Sequence, residues 1–398
     1  MTPRRRVAIH LELELPYKRH AALFAGTQQY AREHGWESII DEFVAENLPA
    51  RSKSNLPYDG VIARTSDKLH RRASSLGLPL VNVWFNSPIM TKRPGVFPDF
   101  AAIGRLKAEH LLARGFRRFA AILREDRGQR LETAAFIDTV EKAGFACAKA
   151  TIPLHSTRDH ATWVKLQQII SASMDCWQPP VGVTAHDESV GRMILQMCGT
   201  RDWHVPRDVA IIAGWNEDVL CNDPRPSLTS VEPGYEQIGY AAARMLDGLM
   251  DEADTAKRSA KRPNLTRVMM PPQGVIVRES TDFYAVEDEI VAAALQFIAA
   301  HSHAAINPND VAKSVSQEPR TLRRRFRRFL GRPIASEIRR ARIERAKREL
   351  LQSDRSLDAI AFDVGFETGR QLRDAFRREL GVTPGEFRHQ ERSGGSPA

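Results

Sequence analysis

Along the first 280 residues the hydrophobic positions come in short β-branched runs, each followed by a stretch whose apolar residues recur at spacings of three and four. Val7–Leu13, Trp36–Phe43, Gly60–Ala63 and Leu80–Trp84 read as strands, and Ala21–His34 as a helix that stops before Gly35. Ile103–Leu112 is an amphipathic helix closed by Gly115, after which the pattern repeats. Strands are expected at Phe119–Leu123, Ala148–Pro153, Val181–Ala185 and Val209–Ala213, with helices over Leu131–Ala143, Thr162–Met174 and Ser189–Cys198. Alternation at this spacing predicts parallel sheets with helices on both faces, and its two half-units predict two Rossmann-like lobes.

From Glu287 the period becomes helical throughout. Ile290, Ala294, Leu295 and Ile298 mark one face of a helix over Ile290–Ala300. Two similar units follow: Val311-Ala312 and Val315 ahead of Leu322 and Phe326, then Ile360-Ala361 and Val364-Gly365-Phe366 ahead of Leu372 and Phe376. Each predicts a short helix, a tight turn and a second helix whose anchors lie four apart on one face. Gly365 suits a left-handed turn position, and Pro319 the first position of a helix. With the anchors inward, Arg320, Arg323, Arg324, Arg327 and Arg328 point outward in the first unit. Arg370, Gln371, Arg373, Arg377 and Arg378 do so in the second. Arginines at the exposed start of such a helix can reach guanine O6 and N7 in the major groove, and later ones grip phosphates. A helix over Ile334–Leu351 would hold the two units rigidly apart.

The charge agrees with this reading. Lys plus Arg number 58 against 49 Asp plus Glu, and the excess is clustered, with only Glu337 and Glu344 among the bases between Pro319 and Arg348. A basic cluster of this kind favours double-stranded DNA as a partner. The 4 cysteines form no CxxC pair, so neither a zinc knuckle nor a redox motif is indicated. No cofactor or metal is expected. Glu12 and Glu14 interrupt the apolar stretch behind the basic N-terminus, and no run approaches the ~20 apolar residues of a membrane helix. A soluble cytoplasmic protein is expected.

In sheets of the predicted kind, ligands sit beyond the carboxyl ends of the strands. Those positions hold Glu12, Glu14, Arg64, Asn82, Trp84, Asp99, Arg124, His186, Asp187, Trp215 and Asn216. Carboxylates, amides and aromatic faces together suit a polyhydroxylated ligand. The effector contacts are expected from Glu12, Arg64, Asn82, Trp84, Asp99, Asp187, Trp215 and Asn216.

Asp99–Phe116 resembles the D-x-x-A-x-G-x-x-A-x-x-H-L-x-x-x-G stretch of LacI/GalR-type sensor domains. Val183–Asp187, Val205–Asn216 and Pro226–Pro233 resemble further segments of the same family. Asn216 replaces the family's strand-ending Asp, and the arginine of its R-x-x-G-F motif falls at Glu132, with Arg130 nearby. Asp310–Arg388 closely resembles the AraC/XylS-type DNA-binding domain, through Arg320–Phe326, Leu330–Pro333, Arg342–Ala346, Ile360–Phe366 and Phe376–Phe387. Glu318 stands where that family has Ser, and Asp374 where it has Arg, with Arg373 adjacent. The fusion resembles XylR-type regulators of the AraC/XylS family.

The resemblance implies an α/β two-lobed, periplasmic-binding-protein-like sensor over residues 1–280, a linker at 281–288, an all-α domain with two helix-turn-helix units over 289–390, and a disordered tail at 391–398. It further implies lobe crossings near Asp99–Gly115, Ser230–Pro233 and Gly274. The first lobe would then include a helix Tyr235–Met250 and a strand Gly274–Val277, with a surface loop at Asp251–Pro263. The expected function is a homodimeric, DNA-binding transcription regulator, an activator of sugar-catabolic genes controlled by a xylose-like monosaccharide. RNA polymerase would be a further partner. Two alternatives differ in class: an amidotransferase-like or alkyl-transfer enzyme fused to the DNA-binding domain, and a ligand-free interaction module. The first would need an activated Ser or Cys, yet the sequence has no Gly-x-Ser-x-Gly elbow and no Walker-type loop.

Overall fold

The computed structural model describes residues 4–50, 56–153, 159–255, 266–286, 288–353 and 355–393. The chain begins β1 (Arg6–His10), α1 (Lys18–His34), β2 (Glu37–Ile40), α2 (Val44–Asn47), β3 (Gly60–Ala63), α3 (Asp67–Leu76), β4 (Leu80–Asn82), β5 (Gly95–Pro98) and α4 (Phe100–Ala113). It continues β6 (Phe119–Arg124), α5 (Arg127–Lys142), β7 (Cys147–Ile152), α6 (His160–Asp175), β8 (Val181–Ala185), α7 (Glu188–Gly199), β9 (Val209–Ala213), α8 (Asp218–Asn222), β10 (Thr229–Glu232), α9 (Tyr235–Thr255), β11 (Arg267–Met270) and β12 (Gly274–Ile276). Seven helices follow: α10 (Glu289–His301), α11 (Pro308–Ser314), α12 (Pro319–Leu330), α13 (Ile334–Gln352), α14 (Leu357–Asp363), α15 (Gly369–Leu380) and α16 (Pro384–Ser393).

The chain divides into two compact units. One holds Met1–Phe100, Asp126–Gly128 and Pro233–Pro272; the other holds Ala101–Glu125, Gln129–Glu232 and Gln273–Ala398. The first unit contains a sheet in the order β11-β5-β4-β3-β1-β2, parallel at every pairing. The second contains β12-β10-β9-β8-β6-β7, parallel except for the antiparallel β10–β12 edge. Every residue of β3, β8 and β9 is buried, as expected of strands covered on both faces. Their continuous apolar runs explain why the expected limits of these three match the structure.

Two strands differ from expectation. Gly274–Val277, expected in the first lobe, is β12 of the second sheet. The first sheet instead gains β11, paired with β5. Pro271 and Pro272 break the chain between them, so two strands stand where one was expected. β5 itself had no counterpart in the hydrophobic pattern, because Pro94 and Pro98 give Gly95–Pro98 the look of a turn. At the surface loop expected over Asp251–Pro263, α9 runs on to Thr255, and the remainder lies outside the described residues. α16 extends to Ser393, so the first residues of the expected tail are helical, and 394–398 lie outside the described residues. Among the described residues no helix is long and apolar enough to cross a membrane.

The helical part of the second unit has two cores. Leu322 and Phe326 are fully buried with Val291, Leu295, Ile298, Val311, Ile334 and Ile338; Leu372 and Phe376 are buried with Ile343, Leu350, Ile360, Val364 and Phe366. α13 supplies Ile334 and Ile338 to one core and Ile343, Ala346 and Leu350 to the other, so this beam of about 28 Å joins both helix-turn-helix units. Both turns carry a left-handed residue, Ser316 at φ 52° and Gly365 at φ 91°. At Gly365 a Cβ would lie 2.5 Å from Ser302 O and 2.8 Å from Arg342 Nε. The Arg342 guanidinium occupies that corner, donating to the carbonyls of Ser302, Ala304 and Ile306 at 2.9–3.1 Å.

The segment ahead of α10 is tied on both sides. Phe283 and Ala285 pack on the core that holds Ile103, Leu111, Phe116 and Phe136, whereas Tyr284 and Val286 pack on the core of Leu322 and Phe326. Ala285 N donates to Arg114 O at 2.7 Å, and Arg114 Nε donates to Thr281 O at 2.5 Å. Gly115 (φ 86°) leaves room for this passage: a Cβ there would sit 3.0 Å from Ala285 O.

Candidate effector site and nucleic-acid interface

In the first unit the chain leaves β1 through Glu12, whose φ is 55°. Side-chain-bearing residues enter the left-handed region at a cost of about 1–2 kcal/mol, so something must hold it there. Glu42 does: its Oε2 accepts from Glu12 N and its Oε1 from Leu13 N, both at 3.0 Å. His20 Nδ1 donates to Glu12 O at 2.9 Å, and burial keeps this imidazole below its ordinary pKa. The Glu12 carboxylate so placed pairs with Arg64 Nε at 3.0 Å, and the Arg64 guanidinium lies 5.0 Å from the centre of the half-exposed Trp84 ring. Glu12, Arg64 and Trp84 thus form one cluster.

Asn82 does not present its amide to that cluster. It is fully buried, its Oδ1 accepting from Thr65 N and Trp84 N at 3.1 Å while Nδ2 donates to Trp84 O at 3.0 Å. The side chain shapes the turn that carries Trp84. Asp99 follows β5, half-buried, with its amide donating to Met270 O at 2.7 Å.

In the second unit Asp187 caps α7, its Oδ1 accepting from Val190 N at 2.9 Å. Its Oδ2 stands 3.5 Å from both Arg124 Nη2 and His186 Nε2. The Trp215 ring meets His186 edge to face. Asn216 repeats the geometry of Glu12, at φ 55°. The Glu188 Oε1 accepts from both Trp215 N (2.6 Å) and Asn216 N (2.8 Å).

The Asn216 side chain is 6% exposed and bridges two charges. Nδ2 donates to Glu232 Oε2 at 2.9 Å, while Oδ1 accepts from Arg278 Nη2 at 2.7 Å and Ser230 Oγ at 3.2 Å. A guanidinium only donates and a carboxylate only accepts, so the amide orientation is determined. An Asp here could accept from Arg278 but would set a second carboxylate against Glu232, which gives the departure from the family pattern a physical reason.

Glu132, where that pattern has arginine, is buried and paired with Lys107 at 2.6 Å; Gln129 Nε2 donates to its other oxygen at 3.1 Å. Lys107 is itself fully buried and stands where the pattern has alanine. Sequence reasoning missed Lys107, Glu188, Glu42 and Arg278. A signal existed for the first: Lys107 lies four residues from both Ile103 and Leu111, on the apolar face of its helix.

Glu188 is 1% exposed, and burial pushes its carboxyl from the ordinary 4.5 up to about 7, against the pull of the amides it holds. Below pH 4.5 the folded and unfolded chains are both protonated there. As pH rises toward 7 the unfolded chain ionises first, so stability falls, and above 7 the loss is complete. Glu188→Gln is expected to remove this loss, on the order of 3 kcal/mol. Melting curves should show the variant gaining on wild type from pH 5 to pH 7 and the difference levelling off above that; parallel curves would refute the assignment.

On α12, Arg320, Arg323, Arg324, Arg327 and Arg328 are exposed, as are Arg370, Gln371, Arg373, Arg377 and Arg378 on α15. Arg325, between them in sequence, turns back to pair with Asp288, the N-cap of α10. Gln371 is engaged with Glu367, accepting from its amide at 3.1 Å and donating to its carboxylate at 3.0 Å. The first helix has Glu318 as a residue preceding Pro319 with no side-chain cap, whereas Thr368 caps the second by accepting from Gln371 N.

Comparison with known proteins agrees with both halves. Residues 108–281 match the periplasmic binding protein-like domain, and 311–390 a helix-turn-helix domain. The xylose operon regulatory protein of Escherichia coli (strain K12) is 26% identical, with 97% of each chain covered; that of Haemophilus influenzae is 24% identical, covering 96% of this chain and 98% of its own. The structure of the xylose-binding transcription activator xylR shares the fold at a TM-score of 0.59 and 24% identity, over 97% of this chain and 98% of that one. The chain is a DNA-binding transcription regulator with a periplasmic-binding-protein-like sensor domain ahead of an AraC-type helix-turn-helix domain. Along nearly its whole length it is similar to the xylose operon regulatory proteins.

Proposed function

We propose that this regulator responds to a monosaccharide of the xylose class and acts as a homodimer, activating sugar-catabolic genes through contact with RNA polymerase. Two strand-end clusters, each within its own unit, carry the effector reading: Glu12, Arg64 and Trp84 in the first, and Asp187 and Trp215, with the buried Asn216 next in the chain, in the second; each offers hydrogen-bonding groups and an aromatic ring. Asn82 supports Trp84 from behind, and Asp99 joins the set as a half-buried carboxylate. The full-length likeness to xylose operon regulators favours a pentose. The nine outward positions on α12 and α15, Arg320 to Arg328 and Arg370 to Arg377, contact the duplex. The cysteines give no support to a catalytic reading: burial pushes Cys198 up to about 12 and Cys221 up to about 11, the reverse of nucleophile activation.

A thermal-shift screen across monosaccharides, xylose included, tests the reading, followed by gel shifts on promoter fragments with and without the responding sugar. A rise in melting temperature with a change in duplex affinity is expected. A flat response to every sugar refutes the effector assignment.

A further inference from the structure

The two units use one device twice. At each strand end a non-glycine residue sits in the left-handed region, and a single glutamate from a neighbouring segment accepts hydrogen bonds from two consecutive backbone amides there. We propose that Glu42 and Glu188 are positioning residues for the effector, holding Glu12 and the Trp215–Asn216 pair in the conformation that presents them. This rests on the reading that those strand ends take the effector.

Glu188 is too buried to touch a ligand itself, and both oxygens of the partly exposed Glu42 are taken by backbone amides. Glu188 is 1% exposed, with His186 and Asp187 ahead of it, Cys221 Sγ 3.9 Å away, and Lys107 acting on it from α4. Glu42 lies against His10, whose Nδ1 is 3.1 Å from its Oε2. The two clamps differ in one respect. Glu42 spends one oxygen on each amide, whereas Glu188 receives both amides on Oε1. A glutamine has only one carbonyl oxygen. It can therefore replace Glu188 without losing either bond, but at Glu42 it must turn an NH2 group toward one backbone N–H.

The test uses the full-length protein with xylose as probe, read by calorimetry, and backbone amide exchange measured without sugar. Glu188→Ala and Glu42→Ala are each expected to weaken binding about tenfold or more and to speed exchange at Trp215–Asn216 and Glu12–Leu13 respectively. Glu188→Gln should stay within about threefold of wild type, and Glu42→Gln should fall with the alanine variant. Rescue at 188 and failure at 42 is a pattern that general destabilisation does not produce. Equal behaviour of the two glutamine variants, or unchanged exchange in the alanine variants, overturns the proposal. Altered exchange in a protein whose wild type ignores every sugar would instead overturn the effector reading.

Discussion

Replacing Lys107 with Met is expected to destabilise the sensor by about 3–5 kcal/mol, and adding Glu132→Leu is expected to return most of that loss. The ammonium is fully buried and its partner carboxylate nearly so, with 2.6 Å between them. A buried pair gains little over apolar residues of the same volume, because desolvating two charges offsets their attraction. Removing one partner is different: Glu132 would keep its charge, or take a proton, in a place built for an ion pair. Stabilities of single domains run at about 5–15 kcal/mol, so the single variant should approach unfolding at 37 °C while the double variant stays folded. Denaturant titration of both variants checks this. A cost under about 1 kcal/mol for Lys107→Met would mean that the pair behaves as a surface salt bridge. The combination Lys107→Ala with Glu132→Arg would restore the residues of the LacI/GalR pattern at both positions.

The second large effect lies at the duplex. Arg320→Ala and Arg370→Ala remove the first exposed arginine of each recognition helix, and each is expected to lower affinity for the specific site about ten- to hundredfold while relaxing preference at one base position. Arg327→Ala and Arg377→Ala, a full turn or more further along, should instead weaken binding to all sequences alike and reduce the salt slope by about one each. Among the described residues none of these four exposed arginines is held in a salt bridge, and Arg377 acts only on the exposed Glu386, so no buried partner is stranded by their loss and the fold should be unaffected. Gel shifts at several salt concentrations on specific and scrambled duplexes separate the two classes. Identical behaviour of all four variants would leave base reading without support at the helix starts.

The helix-turn-helix pair was legible in the sequence down to its anchors, because local period and charge segregation carry that information. The fully buried strands β3, β8 and β9 were legible for the same reason. What escaped depended on partners distant in sequence. Asn82 looks like a strand-end ligand, and only the positions of Thr65 and Trp84 show that its amide is consumed. Glu132 looks like a lost arginine until Lys107 is seen beside it. Asn216 looks like a weakened aspartate until Glu232 and Arg278 are found on its two ends. A motif records which residue stands at a position, whereas the hydrogen-bonding capacity it must satisfy is set by side chains up to 62 residues away.

The segment from Phe283 to Val286 sends alternate side chains into opposite cores, and this gives the join between sensor and reading head a parity. An insertion or deletion of one residue there would send Tyr284 and Val286 toward the core now filled by Phe283 and Ala285, and exchange the converse pair. Grafting this reading head onto another sensor is therefore a matter of odd and even as much as of length, and chimeras that preserve the alternation should be the ones that still convey the state of one half to the other.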